Sequence, residues 1–215
     1  MKLIYVCAVL IIVAGAALFF SGGHTRAGQG LLKQGEHLMT DKSQLPENTP
    51  SIILGGGCFW CLESEFRALN GVLYTQVGYM GGHVENVTYD QITTGKTGHA
   101  EVIEVFYDPD KISYGALVDH FLRKAHDPTQ INRQGVDIGT QYRSEIFYRT
   151  EQERNIATET IAKIEAEKIY NAPIVTKVSE AQTFWMGENY HQQYYEKYRA
   201  KNGQDHIRVL IKKQR

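Results

Sequence analysis

The chain has 215 residues, 42% of them apolar, 11% aromatic and 22% charged, with a formal net charge of −1. That composition excludes a disordered, collagen-like or disulfide-dense chain, and the near-balanced charge argues against a nucleic-acid binder, which needs a clustered cationic surface. The three cysteines are an odd number, so each sulfur needs a place.

In chain order, Lys2 precedes residues 3–20 (LIYVCAVLIIVAGAALFF), which are apolar except for Tyr5. A charge followed by such a run marks export. The run exceeds the roughly 7–15 residues of a secretory core and approaches the roughly 20 that span a bilayer. Residues 1–27 are therefore read as a signal peptide or an N-terminal membrane anchor. The anchor is preferred, because cleavage after Ala27 would set Arg26 beside the scissile bond. Lys2 should stay cytoplasmic and the body of the chain lie outside, periplasmic or at the cell surface. Too little apolar sequence precedes Cys7 for a lipoprotein signal, and Cys7 reads as a small apolar residue in that segment. Residues 28–50, with Gly28, Gly30, Gly35, Pro46 and Pro50 among polar residues, read as a flexible linker. The domain is placed at 51–215, its folded body ending near 205.

Within the domain, 51–54 is a short apolar run halted by Gly55-Gly56-Gly57, a buried strand entering a tight turn. Leu62, Phe66 and Leu69 form a helical stripe ended by Asn70-Gly71. Residues 72–79 predict a strand that stops at Gly81-Gly82. The alternation of 100–107 (AEVIEVFY), bounded by Asp108-Pro109, predicts a strand with one wet face. Ser113 caps a helix with Leu117, Val118, Phe121, Leu122 and Ala125 on one face, stopped at Asp127-Pro128. Residues 143–149 read as a strand. Thr150 with Glu153 forms a capping box ahead of a helix carrying Ala157, Ile161 and Ile164. A last strand is expected at 174–178, after Pro173. The order β-α-β-β-α-β-α-β predicts an α/β (α+β) fold, a ferredoxin-like two-layer sandwich with an irregular C-terminal extension. Long loops at 80–99 and 126–142 are rich in Gly, Tyr and His, and loops of that length in a compact domain are usually functional.

The strongest local signal is Gly55-Gly56-Gly57-Cys58-Phe59-Trp60-Cys61. Cys58 falls where a strand passes through a glycine turn into a helix, and unpaired amides at the positive end of the helix dipole would favour a thiolate there. Cys61 follows at i+3 on the same helix face, near enough for a disulfide with modest adjustment. On its own the pair fits a redox centre, half of a zinc site or two inert thiols. A zinc site lacks further ligands, since the third cysteine lies in the leader and the histidines show no second paired cluster. Phe59 and Trp60 suit either an apolar pocket beside a nucleophile or ordinary core packing. Tyr89, Glu101, Asp137 and Tyr142 lie in four polar stretches. Glu101, at the mouth of an apolar strand, is a candidate acid near neutral pH.

Together GCFWC, GYMGGHVENVTYDQITTGKTGHAEVIEV, NRQGVDIGTQYRS and ENYHQQYYEKY resemble a peptide methionine sulfoxide reductase of the A type, over about residues 51–198. The resemblance implies that Cys58 is the nucleophile and that Phe59 and Trp60 hold the substrate methyl group. It makes Glu101 the proton donor to the sulfoxide oxygen, hydrogen-bonded by Tyr89 and Tyr142, with Asp137 supporting the site. His191 lies in the matching C-terminal stretch and reads as structural. Family membership implies the S epimer, in proteins or as the free amino acid, no bound metal or organic cofactor, and a monomer. It also implies regeneration by thioredoxin or another dithiol. Attack by Cys58 would yield methionine and a sulfenic acid, which Cys61 would resolve as a disulfide. Many relatives carry resolving cysteines near a flexible C-terminus, but no cysteine follows position 61 here. The competing readings are a general thiol–disulfide oxidoreductase, which leaves Glu101 and the tyrosines unexplained, and an extracytoplasmic binding module with inert thiols.

Overall fold

A computed structural model describes residues 38–39 and 41–206, all within one unit spanning Gln34–Arg215. The leader expected at 1–27 and the first part of the expected linker, 28–37, lie outside the described residues. Among the described residues no helix is long and apolar enough to cross a membrane.

The apolar periodicities become β1 (Ser51–Gly55), α1 (Phe59–Arg67) and β2 (Val72–Met80), then the short α2 (Tyr89–Thr93). There follow β3 (Ala100–Tyr107), α3 (Tyr114–His120) and a two-strand hairpin of β4 (Arg133–Gln134) and β5 (Asp137–Ile138). The chain ends with β6 (Glu145–Tyr148), α4 (Glu151–Ala166), β7 (Lys177–Glu180), β8 (Trp185–Met186) and α5 (Tyr194–Asn202). The main sheet runs β7-β6-β1-β3-β2-β8. Its centre, β6-β1-β3-β2, is antiparallel throughout, the ferredoxin-like arrangement, and β7 adds a parallel strand beside β6. The long loops are not structureless: α2 lies in 80–99, and the β4–β5 hairpin and a 3-10 turn at Thr140–Tyr142 lie in 126–142. The C-terminal extension likewise carries β8 and α5.

Caps form where the sequence places them. Ser113 Oγ accepts the Ala116 amide at 3.2 Å, and Thr150 and Glu153 complete their capping box. Past His120, α3 widens into a π-helical turn, Phe121–Ala125. The last expected strand begins later than 174–178, because 174–176 is engaged elsewhere: the Val175 amide donates to the Pro128 carbonyl at 2.9 Å, and Thr176 Oγ1 lies 2.7 Å from Ser144 Oγ. Residues 38–39 and 41–50 lie against the domain. The Met39 amide donates to the Leu73 carbonyl at 2.7 Å, and the Lys42 ammonium lies 4.6 Å from the Phe106 ring centre.

The expected wet face of β3 is absent: every residue of the strand is buried. Ile103, Val105 and Tyr107 face the helices, packing with Leu62, Phe66, Leu117 and Phe121. Ala100 and Val102, on the other face, lie under Ile53, Met80 and Phe147, with Ala181 and Phe184 from the chain between β7 and β8 laid across them. Glu104, which gave the strand its polar look, is buried but satisfied by Arg149 Nη2 at 2.5 Å, Gln76 Nε2 at 2.6 Å and Ser51 Oγ at 2.8 Å.

The helix layer is tied to the C-terminus through a second buried carboxyl, Glu63 of α1. It accepts Thr75 Oγ1 of β2 at 3.0 Å and the amide of Gln193, the residue before α5, at 2.7 Å. Arg67 adds a 2.7 Å ion pair to Glu196 of α5. Burial, only partly countered by Arg67, pushes the Glu63 carboxyl up to about 7. The folded protein therefore keeps this proton over a range in which the unfolded chain, ionising near 4.5, has lost it. Stability should fall as pH rises from about 4.5 to 7, by about 3 kcal/mol from this group. Urea unfolding of wild type and Glu63→Gln across that range should show wild type losing stability relative to the variant; a difference independent of pH contradicts the assignment.

Candidate active site

Cys58 owes its position to two glycines that nothing else could replace. A Cβ on Gly56 would lie 2.9 Å from the Phe121 ring and 3.0 Å from the His126 ring. Gly57 has φ +91, a region L side chains rarely adopt, and a Cβ there would meet Gln134 Cβ at 2.6 Å. Its amide donates to the Tyr142 carbonyl at 3.2 Å, tying the turn to the 126–142 loop. Cys58 then stands as the N-cap of α1, but its side chain caps no amide. The first amide of the helix is taken by Glu101, whose Oε2 accepts the Phe59 N–H at 3.0 Å. Glu101 reaches there from the start of β3 and is 2% exposed.

Around this junction lies a cleft of about 270 Å³, lined by Cys58, Phe59, Trp60, Tyr89, Glu101, Asp137, Tyr142 and His206. Phe59 and Trp60 come from the first turn of α1, Tyr89 from the start of α2, Asp137 from β5 and Tyr142 from the 3-10 turn. Of the residues anticipated from sequence, Cys61 alone does not line the cleft. It sits one turn along α1, its Sγ 3.2 Å from Tyr195 Oη, and it is hydrogen-bonded to the Cys58 thiol. Among the described residues no group of three or more His, Cys, Asp and Glu side chains could hold a metal ion.

The charge balance differs from the expectation of a resting thiolate. The hydrogen bond that the Cys58 S–H donates to the Cys61 sulfur, burial, and the charges of Cys61 and Glu101 together push the Cys58 thiol well up from its ordinary value. The helix end does attract an anion, as expected, but the carboxylate of Glu101 occupies it. The phenols also keep their protons. Burial, then Glu101 and Cys58, push Tyr89 up to about 12, and burial followed by Glu101 pushes Tyr142 higher still. Both are hydrogen-bond donors at neutral pH.

A second layer fixes the aromatic walls. The Trp60 indole stacks on Tyr194 at 3.8 Å and 9°, and its Nε1–H donates to His191 Nδ1 at 3.0 Å. His191 is 1% exposed. Burial lowers its pKa, so the ring is neutral and accepts that bond. Its ring also packs on Phe59 at 4.9 Å and on Tyr89 at 4.4 Å, the structural role read for it from sequence. Glu188 accepts the Tyr89 amide at 2.9 Å and the Tyr79 hydroxyl at 2.7 Å. Burial opposes its ionisation, but these two donors outweigh it and lower its pKa. Glu188, Tyr194, Tyr195 and the cleft-lining His206 were not singled out from sequence. The tyrosine density of 190–198 was the available signal for Tyr194 and Tyr195; Glu188 and His206 lie among polar residues that carry none.

Residues 50–215 match the family model described as peptide methionine sulfoxide reductase. The chain belongs to that family. It is 52% identical over 143 residues to the peptide methionine sulfoxide reductase MsrA of Methanothermobacter thermautotrophicus, covering 66% of this chain and 84% of the relative. The corresponding protein of Chromobacterium violaceum is 50% identical over 159 residues, covering 74% and 88%. Among solved structures it resembles methionine sulfoxide reductase A of Corynebacterium diphtheriae, with a TM-score of 0.61, 36% identity, and 75% and 78% of the two chains covered. Reduced Mxr1 from Saccharomyces cerevisiae gives a TM-score of 0.64 at 33% identity, over 73% and 87%. As a member of this family the protein is a thiol-dependent oxidoreductase, a peptide-methionine (S)-S-oxide reductase.

The charge balance at the helix end can be read directly. Iodoacetamide should alkylate Cys58 of the resting enzyme only as pH rises past the usual thiol range. Cys61→Ala and Glu101→Gln each remove a cause of the upward shift, so each should move the alkylation midpoint to lower pH. An unchanged or higher midpoint in both variants would contradict this account.

Proposed function

We propose that the protein reduces methionine S-sulfoxide, both within oxidised proteins and as the free amino acid, by the combined action of Cys58 and Glu101. The observation that carries this reading is the Glu101 carboxyl, buried at the head of the helix that presents the Cys58 thiol, in one cleft with two protonated phenols. A sulfoxide sulfur is a poor electrophile until its oxygen is protonated, so nucleophile and acid must act together. Phe59 and Trp60 hold the methyl group in an apolar wall. Tyr89 and Tyr142 donate hydrogen bonds to the sulfoxide oxygen, Glu101 takes the Cys58 thiol proton and delivers it to that oxygen, and Asp137 helps to seat the substrate. Cys58 attacks sulfur, methionine leaves, and Cys58 carries the oxygen as a sulfenic acid. Cys61 condenses with it to a disulfide and water, and a thioredoxin-like dithiol restores both thiols.

The apolar run 3–20 behind Lys2 supports an extracytoplasmic domain, secreted or anchored. Cytosolic thioredoxin could not reach it there, so the reductant would be an extracytoplasmic dithiol protein. Fractionation with N-terminal sequencing should find the chain outside the cytoplasm, either beginning at Met1 in membranes or after the leader in soluble form. A cytosolic, full-length product contradicts this placement.

The mechanism separates the cysteines by their stage. Cys58→Ser should abolish turnover. Cys61→Ser should release about one methionine per enzyme and then stall. Glu101→Gln should slow methionine release about 10²-fold or more in single turnover with the fold intact. Unchanged single-turnover kinetics in Glu101→Gln would remove it from the acid role.

A further inference from the structure

We propose that Tyr195 is the positioning residue for the resolving thiol, holding Cys61 Sγ and stabilising it as a thiolate while it attacks oxidised Cys58. This rests on the reading of Cys61 as the resolving cysteine.

Tyr195 Oη lies 3.2 Å from Cys61 Sγ, and the Tyr195 side chain is buried. The ring cannot swing freely: His206 stacks on it at 5.1 Å and 25°, Tyr194 packs edge-on at 5.7 Å and Trp60 at 6.5 Å. Its helix is held to α1 at both the Gln193 amide on Glu63 and the Arg67–Glu196 pair. The spacing between the phenol and the thiol is therefore set by packing. Neither Cys61 nor Tyr195 lines the substrate cleft, which places the phenol with the second step rather than the first.

The second step makes a specific demand. Cys61 must attack as a thiolate, and it is half-buried beside a thiol that has just been oxidised. A phenol O–H donating to developing negative charge on sulfur forms a charge-assisted bond, about twice as strong as a neutral one. Cys61 sulfur attacks Cys58 sulfur, the S–S bond forms and the S–O bond breaks. The hydroxide released takes up the proton lost by Cys61 and leaves as water. Tyr195 keeps its own proton throughout.

The test is a single turnover of the full chain with methionine sulfoxide. Methionine is measured by chromatography, sulfenic acid by dimedone trapping, and the Cys58–Cys61 bond by mass spectrometry. Tyr195→Phe keeps the ring and its packing. It should release methionine at the wild-type rate, form the disulfide about tenfold more slowly, and accumulate sulfenic acid. The pH at which disulfide formation is half-maximal should rise. In a Cys61→Ser background the same substitution should leave the sulfenic lifetime unchanged. Disulfide formation at the wild-type rate and pH in Tyr195→Phe overturns the proposal, as does equal slowing of methionine release, which would mark a merely structural residue. Absence of a Cys58–Cys61 bond in the wild-type protein is a separate result, seen without any variant; it would overturn the resolving role of Cys61 and this proposal with it.

Discussion

The hydrogen bond from the Phe59 amide to Glu101 is the contact on which the site depends. A helix N-terminus offers a few unpaired N–H groups and a partial positive charge, enough to favour one anion held against it. Two candidate anions stand there, the thiol of Cys58 and the carboxyl of Glu101. The structure gives the amide to the carboxylate, and Cys61 and burial, with the charge of Glu101 added, hold the sulfur as a thiol. The part of that opposition that Glu101 supplies is relieved when Glu101 takes a proton, because its charge no longer bears on the sulfur. A proton on the acid thus favours a thiolate on the nucleophile, the combination that reduction of a sulfoxide demands. The geometry links the two protonation states before any substrate arrives.

That contact needs the sheet. Glu101 pairs in register with Tyr79 at the start of β3, the strand flanked by β1 and β2 and buried on both faces, so the carboxyl has a fixed origin. The glycine turn delivers α1 to it with no side chain intervening. Gly55 already places its Cα so close to β3 that an added Cβ would lie 3.1 Å from the Glu101 carbonyl oxygen. A close approach of β1 to β3 and a bare turn after it are therefore conditions for the Glu101–Phe59 bond, and they account for three consecutive glycines better than turn formation alone would.

What could be read from sequence follows the range of the interactions. β1, α1, β2, α4 and the ferredoxin-like order rest on local periodicity and caps, such as the Thr150–Glu153 box, and these are legible within a dozen residues. The burial of β3 was not, because its cover is Ala181 and Phe184, some 80 residues onward, and because Glu104 is satisfied by Arg149, Gln76 and Ser51 rather than by water. α5 is a short, polar helix with no apolar stripe. It exists because Tyr194 docks on Trp60 and the Gln193 amide docks on Glu63, contacts no window of sequence contains. The site residues themselves were legible through the family resemblance. The charge state of Cys58 was not: the dipole of α1 could be inferred, but not that a residue 42 positions downstream already occupies its end.

The placement of Cys61 explains the use made of the C-terminal chain. With both cysteines on one turn of α1, the second thiol needs no excursion of a distant segment to reach the first. Segment 188–206 can then be fixed in place, and it is: Glu188 holds Tyr89, His191 holds Trp60, and Tyr194, Tyr195 and His206 close an aromatic wall over the start of α1. One face of that wall borders the cleft through His206, while the Tyr195 phenol meets Cys61 away from the cleft. A single helical turn thus gives its two hydrogen-bonded sulfurs different further partners. Cys58 meets the acid and the substrate space, and Cys61 meets a phenol that does not line the cleft. Had the second thiol also faced the cleft, it would have stood beside the sulfoxide as a rival nucleophile, without the aligned carboxyl that makes the first attack productive.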